Sequence, residues 1–278
     1  MVRRLSSTKI LSRICLYLWC IFSLFVFCWI IISSLKTNRE FFTNMWGFAS
    51  HQQYGNYLKV LKTYHLARNF LNSLIVVLSA VSLLLVVCMP AAYVLSRIPF
   101  MGRTFMSRMF TLGMGIPYQL LLVPLFFMMA SIHMTNTLSG LVLLYVTLSI
   151  PFTVFIMQGF FKTLPHELEE AAMIDGCNPI ETFFRIMLPL GKPALVTAGI
   201  FNFIFLWNEF LLALTFVSNT SKFTLSVGIY SLQGSMQYTG DWVCLFAGFV
   251  IVALPTLIVF MVMSRRVIEG LTMGAVKE

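Results

Sequence analysis

Side chains able to do chemistry are few in this chain, and their placement says more than their number. Five of the ten carboxylates (Glu167, Glu169, Glu170, Asp175 and Glu181) fall within fifteen consecutive positions. Another, Glu209, stands inside an apolar run as Trp207-Asn208-Glu209-Phe210. The four histidines, His51, His65, His133 and His166, are isolated from one another and read as solvated or interfacial residues. No GxxxxGK phosphate loop, HExxH or GxSxG is present, so nucleotide hydrolysis, zinc-dependent hydrolysis and serine-hydrolase chemistry find no residues here. The six cysteines lack ligand spacing and read as small buried apolar residues. Neither a catalytic set nor a metal set can be assembled.

The elements that must position these residues are set by composition. Of 278 residues, 59% are hydrophobic and 10% charged, against about 25% charged in ordinary soluble domains. The net charge of +9 could suggest nucleic acid. However, the basic residues form no patch or stripe and accompany no recognition motif. They lie between hydrophobic runs, as expected of residues that orient a chain in a bilayer. The fold class is therefore an all-α membrane protein.

Six transmembrane helices are expected, at about 15–34, 70–95, 109–130, 138–160, 194–217 and 242–263. The first follows Arg3, Arg4, Lys9 and Arg13, which could also mark a signal peptide. Its length of about twenty residues, roughly 30 Å as a helix, and the polar Leu35-Lys36-Thr37-Asn38 after it favour an uncleaved anchor. Pro90, Pro117, Pro124, Pro151 and Pro255 fall inside spans. Each removes a helical hydrogen bond, which fits plain packing kinks as well as flexing around a cavity. The organisation is then an N-terminus at 1–14, a permease domain at 15–263, a polar loop at 161–193 within it, and a tail at 264–278. Assigning both termini and the 161–193 loop to one side gives that side 13 of the 19 basic residues, which places them in the cytoplasm.

Polar groups at membrane depth are the second signal. Asn202, Asn208 and Glu209 lie in the fifth span, and Tyr118 and Gln119 lie beside Pro117 in the third. An intramembrane carboxylate is costly unless it meets a partner or water. Asn202 and Glu209 are seven apart and share a helix face. Two readings stand: interhelical hydrogen bonds at a packed interface, or the lining of a polar translocation path.

The acidic loop carries its own helix signals. Pro165 suits a first turn, and Glu167, Glu169 and Glu170 follow where carboxylates complement the helix dipole. Ala171 and Ala172 allow close approach, and Gly176 sits where a left-handed stop belongs. Asn178-Pro179-Ile180-Glu181 then reads as a cap, a first-turn proline and a capping-box acid. A helix lying on lipid would want basic residues on its polar face. This one is acidic, so a soluble protein partner fits better.

Glu170-Ala171-Ala172, three residues, Gly176, nine residues, then Ile186-x-Leu188-Pro189 resembles the EAA motif of ATP-binding-cassette (ABC) importer permeases. The longer run through Leu188-Pro189-Leu190-Gly191-Lys192-Pro193 to Trp207-Asn208-Glu209-Phe210 is similar to the maltose-type carbohydrate branch. Asn72-Ser73, Gly240-Asp241-Trp242 and the closing Gly270-Leu271-Thr272-x-Gly274-Ala275-Val276-Lys277 extend the resemblance over nearly the whole chain. Two positions depart from the pattern: Cys177 stands where alanine is usual, and Glu278 ends a tail that usually closes in glycine.

This resemblance implies a permease that is not itself an enzyme, with the EAA loop as a coupling helix seated in a cleft of an ATPase. Glu170, Ala171, Ala172, Asp175, Gly176 and Pro189 would form that coupling element. It further implies two ATPase subunits that bind ATP and Mg, a second homologous permease subunit, and an extracytoplasmic solute-binding protein that delivers a sugar. This chain itself would bind no cofactor, no metal and no nucleic acid. The location implied is the cell membrane, multi-pass, with both termini cytoplasmic. Another solute, such as a glycerol phosphate or a modified sugar, and a proton-coupled carrier relaying through Glu209, are the alternatives.

Overall fold

The computed structural model describes the backbone of residues 7–275 and the side chains of 11–236 and 238–262. Arg3 and Arg4 at the start and Val276–Glu278 of the tail lie outside the described residues, as do the tail's side chains. Among the described residues the regular structure is helical, without strands. Contacts group the backbone into two compact units: the chain through Ala67 together with Gly228–Leu254, and Arg68–Val227 together with the chain from Pro255.

The first unit holds α1 (Ser7–Ser34), α2 (Asn38–Thr43), α3 (Gly55–Lys62), most of α13 (Leu225–Thr239) and the opening turns of α14 (Trp242–Ala275). Helix α1 is apolar all round, and none of its side chains from Leu11 to Phe27 is buried. That pattern suits a helix whose solvent is lipid. Its end is polar and buried at Ser33, Ser34 and Lys36. The Lys36 ammonium donates to the carbonyls of Asn44 and Met45 at 2.9 and 3.1 Å, folding the next segment back along α1. There Trp29 donates its indole N–H to the same Met45 carbonyl and its ring contacts Trp46.

Asp241 ties this unit together. Its buried carboxylate pairs with Lys59 of α3 and accepts hydrogen bonds from Asn38 of α2 at 2.9 Å and from Tyr64 at 3.4 Å. Asn38 in turn accepts from the Val243 amide in the first turn of α14. The Gly240-Asp241-Trp242 sequence thus marks a clip joining three helices.

The second unit is built around α4 (Leu66–Arg97) and α7 (Leu138–Phe161), with Pro90 and Pro151 inside them. Helix α7 is the most enclosed, burying Leu141, Leu144, Tyr145, Val154, Met157 and Phe161. Helix α5 (Arg103–Met114) packs on it through Gly113, where an added methyl would touch Pro151 at 3.3 Å, and through a Gln158–Ser107 hydrogen bond of 3.1 Å.

Two expected spans are not single helices. The third is broken: α5 ends at Met114, and a 3-10 turn (Tyr118–Leu121) followed by α6 (Leu122–Ser131) sets off at 93° to it. Pro117 has no N–H to continue the helix and disfavours helical geometry at the residue before it; its own backbone is extended. The fifth starts earlier than expected, as α11 (Lys192–Trp207), and stops at Asn208 before α12 (Leu211–Phe216). Among the described residues four helices are long and apolar enough to cross a bilayer, rising to six if α5 with the 118–131 run, and the 179–190 run with α11, each count as one crossing.

At the α4 N-terminal end, Asn72 donates to the carbonyls of Ser221 and Phe223, both at 3.0 Å, and Ser73 accepts from the Leu225 amide at 2.7 Å. Asn136, in the left-handed region at φ 54°, accepts from the amides of Ser218 and Asn219. Short polar side chains therefore pin the 218–225 segment to that end of the unit.

Candidate functional site

At the opposite end of α4 lies the acidic loop. Its first helix, α8 (Glu167–Ile174), carries three carboxylates in its opening turn. Its stop is a complete Schellman motif: the Cys177 amide reaches the Ala172 carbonyl at 2.9 Å and the Gly176 amide the Met173 carbonyl at 3.1 Å. Gly176 sits at φ +82°, a conformation that costs a residue with a Cβ. Asn178 and Glu181 then form a reciprocal capping box, each side-chain oxygen accepting the other's backbone N–H. The chain continues as α9 (Pro179–Thr182), a π-helical turn (Phe183–Met187) and α10 (Leu188–Leu190), where Pro189 opens the last piece. A bend of 66° separates this run from α11.

The loop has an inner and an outer surface. Inward, Ala172 is buried and Glu169 lies 3.9 Å from the guanidinium of Arg97, at the end of α4. Arg97 also donates to the Leu164 carbonyl where the loop begins. One turn back, the Tyr93 ring contacts Phe161 of α7 and Phe183 of the π-turn, with centroids 5.7 and 5.2 Å away. Buried Gly191 packs against the terminal methyl of Met89 of α4, which would have to move if a Cβ were added. Outward, Glu170, Ala171 and Asp175 are exposed with Met173, Ile174, Ile180 and Phe184. Ile174 is 86% exposed, too much for a residue whose only role is packing within this chain. Exposed apolar patches mark protein or membrane contacts, and the carboxylates at the edge of this one suit a protein better than an anionic lipid surface.

The polar span residues separate into two kinds. Asn202 is buried and donates to Thr153 of α7 at 2.9 Å and to the Ala198 carbonyl at 2.8 Å. Glu209 is 6% exposed. Its Oε2 accepts from the Tyr145 hydroxyl of α7 at 2.8 Å and from the Ala213 amide at 3.1 Å, while Oε1 accepts from the Leu212 amide at 2.7 Å. The carboxylate therefore satisfies two free amides at the start of α12, a need created by the helix break it sits in. Asn202 and Glu209 do face one element, since Thr153 and Tyr145 lie two turns apart on α7. Asn208 and Gln119 are instead exposed, and Tyr118 is half-buried within electrostatic reach of Glu209. The two helix breaks are thus neighbours, with their polar groups partly enclosed and partly open.

Sequence reasoning missed several partners. Arg97 reads as one more loop cation, yet its side chain is 2% exposed. Only its spacing of four from Tyr93 hints that both face the loop. Tyr145 and Thr153 look like ordinary span residues until α11 is placed beside them. Among the described residues no group of three or more His, Cys, Asp or Glu side chains could hold a metal.

Comparison with known proteins is consistent with these features. Residues 85–270 match the family described as binding-protein-dependent transport system inner membrane component. The diacetylchitobiose uptake system permease protein NgcG of Streptomyces coelicolor is 35% identical over 264 residues, covering 95% of this chain and 87% of the relative. The sulfoquinovosyl glycerol transport system permease protein SmoH of Agrobacterium fabrum is 35% identical over 255 residues, covering 91% and 89%. In structure, the chain resembles one from a bacterial ABC transporter involved in the import of the acidic polysaccharide alginate. The TM-score is 0.78 at 20% identity, over 94% of this chain and 98% of that one.

Proposed function

The chain belongs to the family of binding-protein-dependent transport system inner membrane components, and on that premise we propose that its cargo is a carbohydrate. It is a multi-pass membrane protein, the permease subunit of an ABC importer rather than an enzyme. Support for a carbohydrate comes from relatives named for diacetylchitobiose uptake and sulfoquinovosyl glycerol transport, each matched over nine-tenths of this chain. The second name favours a modified sugar as the nearest alternative.

The α8–Gly176–α9 turn is the proposed docking element for an ATPase subunit. The observation that carries this is the exposed acidic and apolar face on a loop clamped from behind to α4 and α7. Glu170, Ala171, Asp175 and Gly176 would meet the ATPase, with Ala172 and Pro189 shaping the turn behind them. ATP and Mg belong to two such subunits. Their closure would draw this loop toward the equivalent loop of a second permease subunit, and the spans would turn from one open side to the other. The loop and both termini then face the cytoplasm, while the 218–225 segment faces an extracytoplasmic binding protein. Asn208, Gln119 and Tyr118, beside the two helix breaks, are the proposed polar lining, and Asn202 and Glu209 hold those breaks in shape. A proton relay through Glu209 fits less well, because three hydrogen bonds already occupy its carboxylate.

Replacement of Gly176 tests the docking role. A Cβ there meets nothing within 4 Å among the described residues, so their packing is spared and the cost is the backbone conformation. Gly176→Val should insert normally and leave ATP hydrolysis running. It should lower uptake by about tenfold, the response expected when about 1–3 kcal/mol of backbone strain is placed in the turn. Gly176→Asn, better tolerated at positive φ, should lose less. Full uptake by Gly176→Val would overturn the assignment.

A further inference from the structure

We propose that Arg97 is the positioning residue that makes α4 follow the docking loop, a buried strut between the ATPase contact and the membrane helices. The proposal rests on the docking role of α8 and adds the route by which movement there reaches the spans.

A cation at the cytoplasmic end of a span ordinarily extends its guanidinium to water or lipid headgroups. Arg97 does not. It is 7% exposed, and its guanidinium is turned under the loop, onto the Leu164 carbonyl and toward Glu169. The arrangement is a poor stabiliser. The ion pair is long, at 3.9 Å and without a fork of parallel hydrogen bonds, and the buried Arg97 Nε has no partner among the described residues. Buried pairs of this quality seldom repay their desolvation, and their best-attested use is to fix register between elements.

The register fixed here is that of α8 against α4. Tyr93, one turn before Arg97, has its hydroxyl facing the same Glu169 carboxylate and its ring between Phe161 and Phe183. Arg103 holds the far side of the junction, donating to the Ser96 carbonyl at 2.9 Å. The loop is therefore gripped at its start by Leu164, in its first helix by Glu169 and in its π-turn by Phe183, and all three grips lead to one turn of α4. The apolar contacts can slide, because ring faces have no single register. The guanidinium cannot, because moving the loop, Leu164 together with α8, without α4 takes both of its acceptors from a buried cation. Arg97 thus sets how closely α4 tracks the loop, whereas Tyr93 supplies bulk.

Hydrogen exchange of the assembled complex, with ATP, Mg and vanadate as the probe, separates this idea from its premise. In the wild-type complex, trapping should alter exchange at both 165–180 and 90–103. No change at 165–180 would sink the docking role itself. In Arg97→Met, which keeps an apolar side chain of similar reach, the change at 165–180 should persist. The change at 90–103 should shrink by about threefold or more, near the lower end of what one position on a coupling route alters. Arg97→Lys should recover part of the response. An undiminished response at 90–103 in Arg97→Met would overturn the strut, even if the variant melts at a lower temperature. Should Arg97→Met fail to assemble, Glu169→Gln decides: it keeps the shape, drops the charge and should weaken the same response, and an unaltered response would equally overturn the strut.

Discussion

Glu209 shows how a single residue can be half legible. Its depth in an apolar run marks it as costly and therefore partnered. Nothing in the run names the partner, because Tyr145 lies 64 positions earlier in the chain. The helix break that supplies its other two donors carries no glycine or proline to announce it. Given the partners, its energetics can be stated. Glu209→Gln keeps the shape but presents an amide N–H₂ to a site made of donors, at a cost of about 1–3 kcal/mol. Tyr145→Phe removes one donor, at about 1 kcal/mol. Since both act on one hydrogen-bonded group, the double variant should depart from additivity by at least about 0.5 kcal/mol. Unfolding of the purified protein in mild detergent measures this, and strict additivity would remove the assigned pairing. ATP-driven uptake by Glu209→Gln that persists without a proton gradient is the matching functional outcome.

Among the elements, local chemistry is what the sequence makes plain. Gly176 predicts its left-handed stop and Asn178 with Glu181 their capping box, because each motif closes within six positions or fewer. Pro117 sits inside a predicted span, but the 93° turn it introduces depends on what packs against α5 and α6. The clip at Asp241 was out of reach altogether, since Lys59 and Asn38 lie 182 and 203 positions away. Its electrostatics give a prediction with a sign. Burial alone would raise the Asp241 carboxyl, but hydrogen bonds from Lys59, Asn38 and Cys244, with the lysine's charge, outweigh it and hold the group below its ordinary value. The bond to Asp241 likewise lifts Lys59 above its own. A lowered acid contributes stability above its unfolded value of about 3.9, and that contribution fades as the pH falls through the folded value. A raised lysine contributes below about 10.4 and fades as the pH climbs past it. The clip is therefore at full strength around neutrality. Asp241→Asn should cost about 1–2 kcal/mol at pH 7, a reduced figure because half of the Lys59 side chain is in water. The gap from wild type should narrow as the pH falls below about 4, where the unfolded chain's carboxyl takes up its proton before the native one does. Thermal unfolding at pH 7 and below pH 4 decides it: an equal gap at both values would mean that Asp241 holds the helices by shape alone.

For the molecule as a whole, the decisive unknown is which way it faces, and the chain carries its own reporter. Basic residues favour the side with the termini and the acidic loop, but five of the six on the other side crowd into one segment, residues 36–68. At least one of those five, Lys36, is buried against backbone carbonyls, where it does the work of a fold contact rather than a topological signal. Discounting it strengthens the inside-positive bias on which the proposed cytoplasmic side of the loop rests. Cys177 lies in that loop, half-buried beside Gly176, while Cys15, Cys20, Cys28, Cys88 and Cys244 lie in helices long and apolar enough to cross the membrane. A membrane-impermeant maleimide should therefore label Cys177 in inside-out vesicles and not in right-side-out ones. In a variant lacking the native cysteines, His51→Cys, exposed in the segment between α2 and α3, should show the reverse. Bound ATPase subunit should protect Cys177 and leave position 51 unaffected. Labelling of Cys177 from the outside would invert the topology and remove the ATPase from the loop. Correct sidedness without protection would keep the topology and deny the contact.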